Sequence, residues 1–363
     1  MKNIFYLGLL LIVAIACKEE VTEKEYVDND LVNFVIPAKA IRVADFKGQQ
    51  VTGVTVTDSG RIFVNFPRWR KGVTNSVTEV VNDKEITGYP NTKWNSWEVG
   101  EKIVPNKFIG VQSVISFDNN LYVLDTRNPL FTNVVDAPRV FVFDLITNKL
   151  VKTYVLNAKS FHADSYINDL RVDLKKNMIY FTDSGNSGLV ILDMKTGKTK
   201  RVLDNHISTS AEVNFLTFEG KKWERTVHSD GIALDNLCNT LYFHALTGYN
   251  LYAIDTNVLI NGNEQTIQDN VKVIAKTAAP DGMLFNTNGD LYFADLENSK
   301  ILYRKPDGTT NVLLEGKDVK WADSFSIFDG YLYYTNSRIN EVDSTTISEM
   351  VFSLNKVLLP VDD

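Results

Sequence analysis

The residues of this 363-residue chain with chemistry to offer recur at similar intervals and are mostly acids and amides. Thr52, Gln112, Asn168 with Asp169, Asp230, Asp281 and Asp323 form one series. Phe66, Asp125, Asp183, Ala245, Asp295 and Asn336 form a second, each member 13 to 15 residues after its counterpart in the first. Carboxylates and carboxamides gathered at one place are hard oxygen donors: they coordinate calcium or another divalent cation, or accept hydrogen bonds from an ammonium or hydroxyl group. The same residue types also cap turns and satisfy backbone N–H groups. Asp125, Asp183 and Asp295 suit that structural role because their slot repeats regardless of the copy. Asn168, Asp230, Asp281 and Asn336 are the stronger functional candidates, and Gln112, Asp169 and Asp323 join them as ligand-binding residues. Buried carboxylates need a cation among them or shared protons, since an uncompensated buried charge is costly. Arg127 and Arg338 offer internal counter-charge, and Arg127 is accordingly placed with the ligand-site residues. Of the four histidines, His228 stands beside Ser229 and Asp230 and is a candidate general base, whereas His244 ends a strand pattern and reads as packed. His162, His206, His228 and His244 lack the spacing of a transition-metal site, and no P-loop, dinucleotide or nucleophile-elbow fingerprint is present.

These series need elements to carry them. An aromatic strand core recurs six times, as RIFVNF, LYVLD, IYFTD, LYFHA, LYFAD and LYYTN. With Phe63, Tyr122, Tyr180, Tyr242, Tyr292 and Tyr333 as landmarks, the intervals are 59, 58, 62, 50 and 41 residues. Each landmark follows a shorter apolar segment and a turn rich in Asp, Asn and Gly, and most copies continue into two further alternating segments. Four strands per copy and six copies predict an all-β, six-bladed β-propeller with four-stranded antiparallel blades. In that architecture the first strand of each blade lines the channel and the second runs back beside it, so both polar series converge on one channel mouth. The segment from Leu31 to Phe46 is expected to supply a strand that closes the ring beside the last copy.

Composition agrees: 44% hydrophobic residues exclude disorder, and the 11% aromatic content suits β structure. A net charge of −7 disfavours a nucleic-acid partner. Residues 1–17, MKNIFYLGLLLIVAIAC, read as a secretory signal with small residues before Cys17, similar to a bacterial lipobox in which that cysteine is diacylated. Residues 18–30 then form an acidic tether and 31–363 the propeller as one domain. The expected location is the bacterial cell envelope, lipid-anchored through Cys17 to the outer membrane with surface exposure suggested by Lys18-Glu19-Glu20, and the expected state is monomeric. Cys238 is then the only thiol in the body, so no internal disulfide is available.

The residues resemble the major royal jelly protein and Yellow family. The resemblance lies in RIFVNFPRWRKGV, ITGYPNTKWNSWE, LYVLDTRN, YINDLRVD, HSDGIALD with LYFHALTGYNLYAID, PDGMLFNTNGDLYFAD and WADSFSIFDGYLYYTNSRIN, in order from Gly48 to Asn340. It implies a six-bladed propeller, and a function among those of insect members, which convert dopachrome, bind biogenic amines in the channel, or serve as nutritive or signalling proteins. Asn336-Ser337-Arg338 looks like the family's Asn-Arg segment beside the ligand pocket, while the cysteines of insect members are missing, as in a bacterial branch. A more distant similarity is to the senescence marker protein and gluconolactonase group. Through it Asp281 corresponds to a metal-ligand Asp, Asp230 stands where that group has Asn, and Asn168 is a third ligand; Thr52-Gly53 replaces the group's first-blade Glu. The leading expectation is a lipoprotein that binds a small aromatic or amine ligand at the channel mouth. The alternative is a divalent-metal-dependent lactonase in which Asp230 or Asp281 activates water, and a purely structural or interaction role is a third class.

Overall fold

A computed structural model of the protein describes residues 38–360 apart from Lys84 and Ser344. Six four-stranded antiparallel sheets follow one another around an axis. Their inner strands are Val54–Val56, Val111–Phe117, Ile167–Asp173, Ser229–Asp235, Met283–Phe285 and Ala322–Phe328, and each packs against the next, blade six returning to blade one. All six aromatic landmarks lie in the second strands, for example Tyr122 in Asn120–Asp125 and Tyr292 in Leu291–Asp295. The hairpins between first and second strands use the residues that tolerate left-handed backbone: Asp118 and Asn119 at φ 48° and 57°, Asn177 at 55° and Asn239 at 53°.

The core lies between blades. Tyr122 and Leu124 of blade two bury against Ile167, Phe181 and Val190 of blade three, and Tyr180 and Ile191 of blade three against Ile232 and Phe243 of blade four. Flat and branched side chains on both faces of each sheet fill these seams, which explains the aromatic excess.

Ring closure follows the expectation. Ile41–Lys47 pairs antiparallel with Val351–Leu358 and becomes the outermost strand of blade six, which otherwise comes from the C-terminal end of the chain. Residues 31–37 of that segment, together with residues 1–17, Cys17 and the tether, lie outside the described residues. The closing strand is pinned by Phe46, whose ring meets Phe66 of blade one edge-on at 5.2 Å.

Two insertions were not read from the sequence. The 62-residue interval between Tyr180 and Tyr242 contains an extra hairpin, Leu216–Phe218 with Lys221–Trp223. Blade four also carries two short helices between its third and fourth strands, Thr256–Asn261 and Glu264–Asp269, capped by the side chains of Asp255 and Asn263.

Phe46→Ala removes a buried ring from the closing strand, so it should cost about 3–5 kcal/mol in urea unfolding. A loss below about 1 kcal/mol would mean the closing strand is not what holds blades six and one together.

Candidate functional site

Six of the residues expected at the channel mouth, Gln112, Asn168, Asp169, Asp230, Asp281 and Asp323, lie at the entries of the inner strands, and the backbone explains how. At the start of the inner strands of blades two, three, four and six the ladder carries one extra residue. Pairing passes from Val111↔Asp125 to Ser113↔Leu124, from Ile167↔Asp183 to Leu170↔Phe181, from Ser229↔Ala245 to Ile232↔Phe243, and from Ala322↔Asn336 to Phe325↔Tyr334. Each bulge falls on Gln112, on Asn168 with Asp169, on Asp230, or on Asp323. Bulges re-aim side chains. Two Asp-Gly pairs serve a related need: a Cβ on Gly231 would stand 2.9 Å from the Asp281 carbonyl oxygen, and one on Gly282 2.9 Å from that of Asp323. Glycine there lets successive inner strands close up beside the axis.

The result is a crowd of carboxylates. Asp230 bonds to Asn168 and Asp281 and stands within electrostatic reach of Asp169 and Asp323. Asp281 accepts the Trp321 indole N–H at 2.6 Å. Desolvation, then neighbouring acids, pushes both Asp230 and Asp281 well above the ordinary carboxylate range, and burial beside Asp169 pushes Asp323 up to about 7. Both shifts favour the protonated carboxyl over the carboxylate at Asp230 and Asp281.

The counter-charge comes from Arg171, which the sequence reading missed. Its guanidinium donates to Asp169 at 2.8 Å and to the Met283 carbonyl at 2.7 Å, reaching past blade four to blade five. Period-two alternation placed Arg171 on the face of Asp169, the one signal that pointed to it. Trp321, Tyr166 and Trp69 were missed as well. Gln112 accepts the Tyr166 hydroxyl at 2.7 Å, and that hydroxyl accepts the Trp69 indole N–H at 2.6 Å. Phe131 stacks on Trp69 at 5.5 Å and approaches Tyr166 at 4.8 Å, giving an aromatic surface beside Gln112.

Arg127 and Asn336 are placed elsewhere. Arg127 is fully buried against Asp125 at 3.3 Å and lies over the Phe141 ring, away from the cluster. Arg338 pairs with Glu341 at 2.6 Å and so does not neutralise the mouth either. Asn336 accepts the Trp321 backbone N–H at 3.0 Å. Asp125 does the same for Ile109 and Gly110, both at 2.8 Å, and Asp183 for Tyr166 at 2.9 Å. This slot ties the end of the second strand to the entry of the first; Asn336 also lines a cleft of about 380 Å³ with Arg42, Lys317 and Arg338 on the outside of blade six. Asp295 holds the turn at Asn298.

His228 accepts the Ala211 N–H through Nδ1 at 3.0 Å, and burial lowers its pKa, so it is neutral there. His244 is buried, donates to the Ala245 carbonyl at 2.7 Å and is depressed to about 4 by desolvation. Cys238 is exposed in a turn, where Asp235 disfavours its thiolate. The oxygen donors Asn168, Asp230 and Asp281 suit calcium by type. They are turned onto each other and onto Trp321, and among the described residues no group of three or more His, Cys, Asp or Glu side chains is arranged to hold a metal ion.

A six-bladed propeller with a buried acidic mouth is the class that fold and site define. Its sequence matches the Major royal jelly protein family over residues 113–353, more than half of the chain, and the chain belongs to that family. Relatives include Protein yellow of Drosophila guanche, 27% identical over 282 residues, covering 69% of this chain and 48% of that protein. Protein yellow of Drosophila melanogaster is 26% identical over 246 residues, covering 61% and 44%. The chain thus spans about half the length of these relatives or less. Among solved structures, a luciferin-regenerating enzyme aligns with TM-score 0.55 at 12% identity, covering 88% of this chain and 95% of that one. Virginiamycin B lyase from Staphylococcus aureus aligns with TM-score 0.51 at 14% identity, covering 88% and 99%. Such identities speak to the fold.

The carboxyl of Asp323 titrates near 7 in the folded chain against an ordinary 3.8, so the folded state binds the extra proton and stability falls as pH rises through that window. Asp323→Asn should therefore raise the urea midpoint relative to wild type at pH 8 and gain much less at pH 4.5. An equal difference at both pH values would show that Asp323 is not held protonated by its neighbours.

Proposed function

We propose that the channel mouth binds a small organic cation, an aromatic amine being the class that fits best. The observation that carries this reading is electrostatic. Asp169, Asp230, Asp281 and Asp323 are gathered with little solvent, and Arg171 is the one cation in ion-pair contact with any of them among the described residues. An ammonium entering this group exchanges carboxyl protons for charge-assisted hydrogen bonds to carboxylates, which are about twice as strong as neutral ones. The Trp69, Phe131 and Tyr166 rings next to Gln112 offer stacking surface for the apolar part of the ligand, and aromatic faces also attract cations. Catalysis is not needed for this role.

We also propose that the body is tethered to a membrane through lipid on Cys17, as the lipobox-like sequence implies.

Calorimetric titration with 2-phenylethylamine and with neutral 2-phenylethanol tests the amine reading. The amine should bind and the alcohol should bind about tenfold or more weakly, with Asp281→Asn and Asp323→Asn each lowering amine affinity by about tenfold. Equal affinity for both compounds, or none for either, would overturn it. Calcium binding with chelator-sensitive lactone hydrolysis would replace it by the hydrolase reading. The tether is checked by detergent-phase partitioning of the full chain: wild type should enter the detergent phase and Cys17→Ser should not, and identical partitioning would exclude a lipid on Cys17.

A further inference from the structure

Pro67-Arg68-Trp69 stands out in the sequence, yet the mouth uses only Trp69. Arg68 is 2% exposed and is held entirely by neutral groups: its guanidinium donates to Ser76 Oγ, to the Phe108 carbonyl at 2.7 Å and to the Asn95 carbonyl at 2.7 Å. Burial lowers its pKa only to about 10, so it remains a cation at neutral pH. No carboxylate hydrogen-bonds this guanidinium; Asp125, Glu98 and Glu101 act on it only through space, so its donors are matched by neutral acceptors alone. Arg70, two residues on, is likewise bonded to a neutral partner, Gln50 Oε1. Both line a cleft of about 410 Å³ in the loops of blade one, together with Lys71, Thr74, Ser96 and Trp97. Trp97 is 3% exposed, its ring centroid lies 5.6 Å from the Arg68 guanidinium carbon, and its indole N–H has no hydrogen-bond partner. Glu98 is the one acid on the cleft wall. The cleft shares none of its lining with the acidic cluster.

We propose that this cleft is a second site, for the oxyanion of a small carboxylate or phosphate compound. Arg70 and Lys71 supply charge from the rim, Arg68 supplies it from beneath, and the unpartnered Trp97 N–H and the Thr74 hydroxyl supply neutral donors. Arginine and indole donors together favour a multi-oxygen anion over chloride, because several acceptors can be satisfied at once. The site is independent of the amine reading, since it has the opposite charge and different residues.

Calorimetry at fixed ionic strength, with sodium phosphate and sodium acetate as separate arms and sodium chloride as the blank, tests it. Saturable binding of either oxyanion is expected, with phosphate or acetate identifying the headgroup. Arg70→Gln and Trp97→Phe should each weaken binding by about tenfold, and Asp323→Asn should leave it unchanged. No saturable heat beyond the chloride blank, or unchanged affinity in both variants, would overturn the proposal. Arg68 knits three loops together and is left intact for that reason; should Trp97→Phe fail to fold, Arg70→Gln decides the question alone.

Discussion

Six inner strands must approach one axis, and the rest of the molecule follows from that crowding. Side chains at the start of each inner strand have room only if the neighbouring backbone yields. Glycine at 231 and 282 removes a Cβ that would strike the next strand, and an extra residue at four strand starts swings the preceding polar group toward the mouth. The ring holds because Ile41–Lys47 closes blade six against Val351–Leu358. An open ring would leave a strand edge exposed and would let the inner strands relax apart, dissolving the crowding that defines the site.

Crowding acids carries an energetic penalty, and neighbouring side chains meet part of it. Arg171 neutralises Asp169, Trp321 hydrogen-bonds Asp281, and Asn168 bonds Asp230. What these partners leave unmet is absorbed by protonation, which is why desolvation raises the pKa of Asp230, Asp281 and Asp323. Trp321 is itself gripped by aromatic packing, at 5.6 Å from Phe218 and 5.2 Å from Trp223. The inserted hairpin between blades three and four therefore reaches the cluster through one indole ring.

Blade count, strand order and the closing strand were legible because period-two alternation and turn chemistry are local signals. Gln112, Asn168, Asp169, Asp230, Asp281 and Asp323 were legible as a series because each blade repeats its register. Asn336 and Arg127 illustrate the limit of a positional argument: sequence position puts a residue near a mouth, while the partners it finds, the Trp321 backbone N–H for Asn336 and Asp125 for Arg127, are set by the fold. Asn336 accepts a backbone N–H in the slot that Asp125 and Asp183 also fill, which a recurring position alone does not distinguish from a ligand contact. Arg171 and Trp321 act across blades, and contacts between distant segments leave no mark on a single stretch of sequence.

The mouth is lopsided, and the asymmetry traces to blade one. Thr52 stands where the distant lactonase resemblance calls for a glutamate, and Gly53 leaves space that the Asn65 side chain fills. Asn65 donates to Thr52 Oγ1 at 2.9 Å and to the Gln112 carbonyl at 3.1 Å, so this side of the ring is neutral and knitted to itself. Blades three to six supply the carboxylates, while blades one to three supply Gln112, Tyr166, Trp69 and Phe131. A ring of like charges would suit a spherical ion centred on the axis. A charged half beside a neutral, aromatic half instead suits a molecule with two unlike ends, and on the proposed amine reading it would orient that molecule, since only the ammonium end gains at Asp230, Asp281 and Asp323.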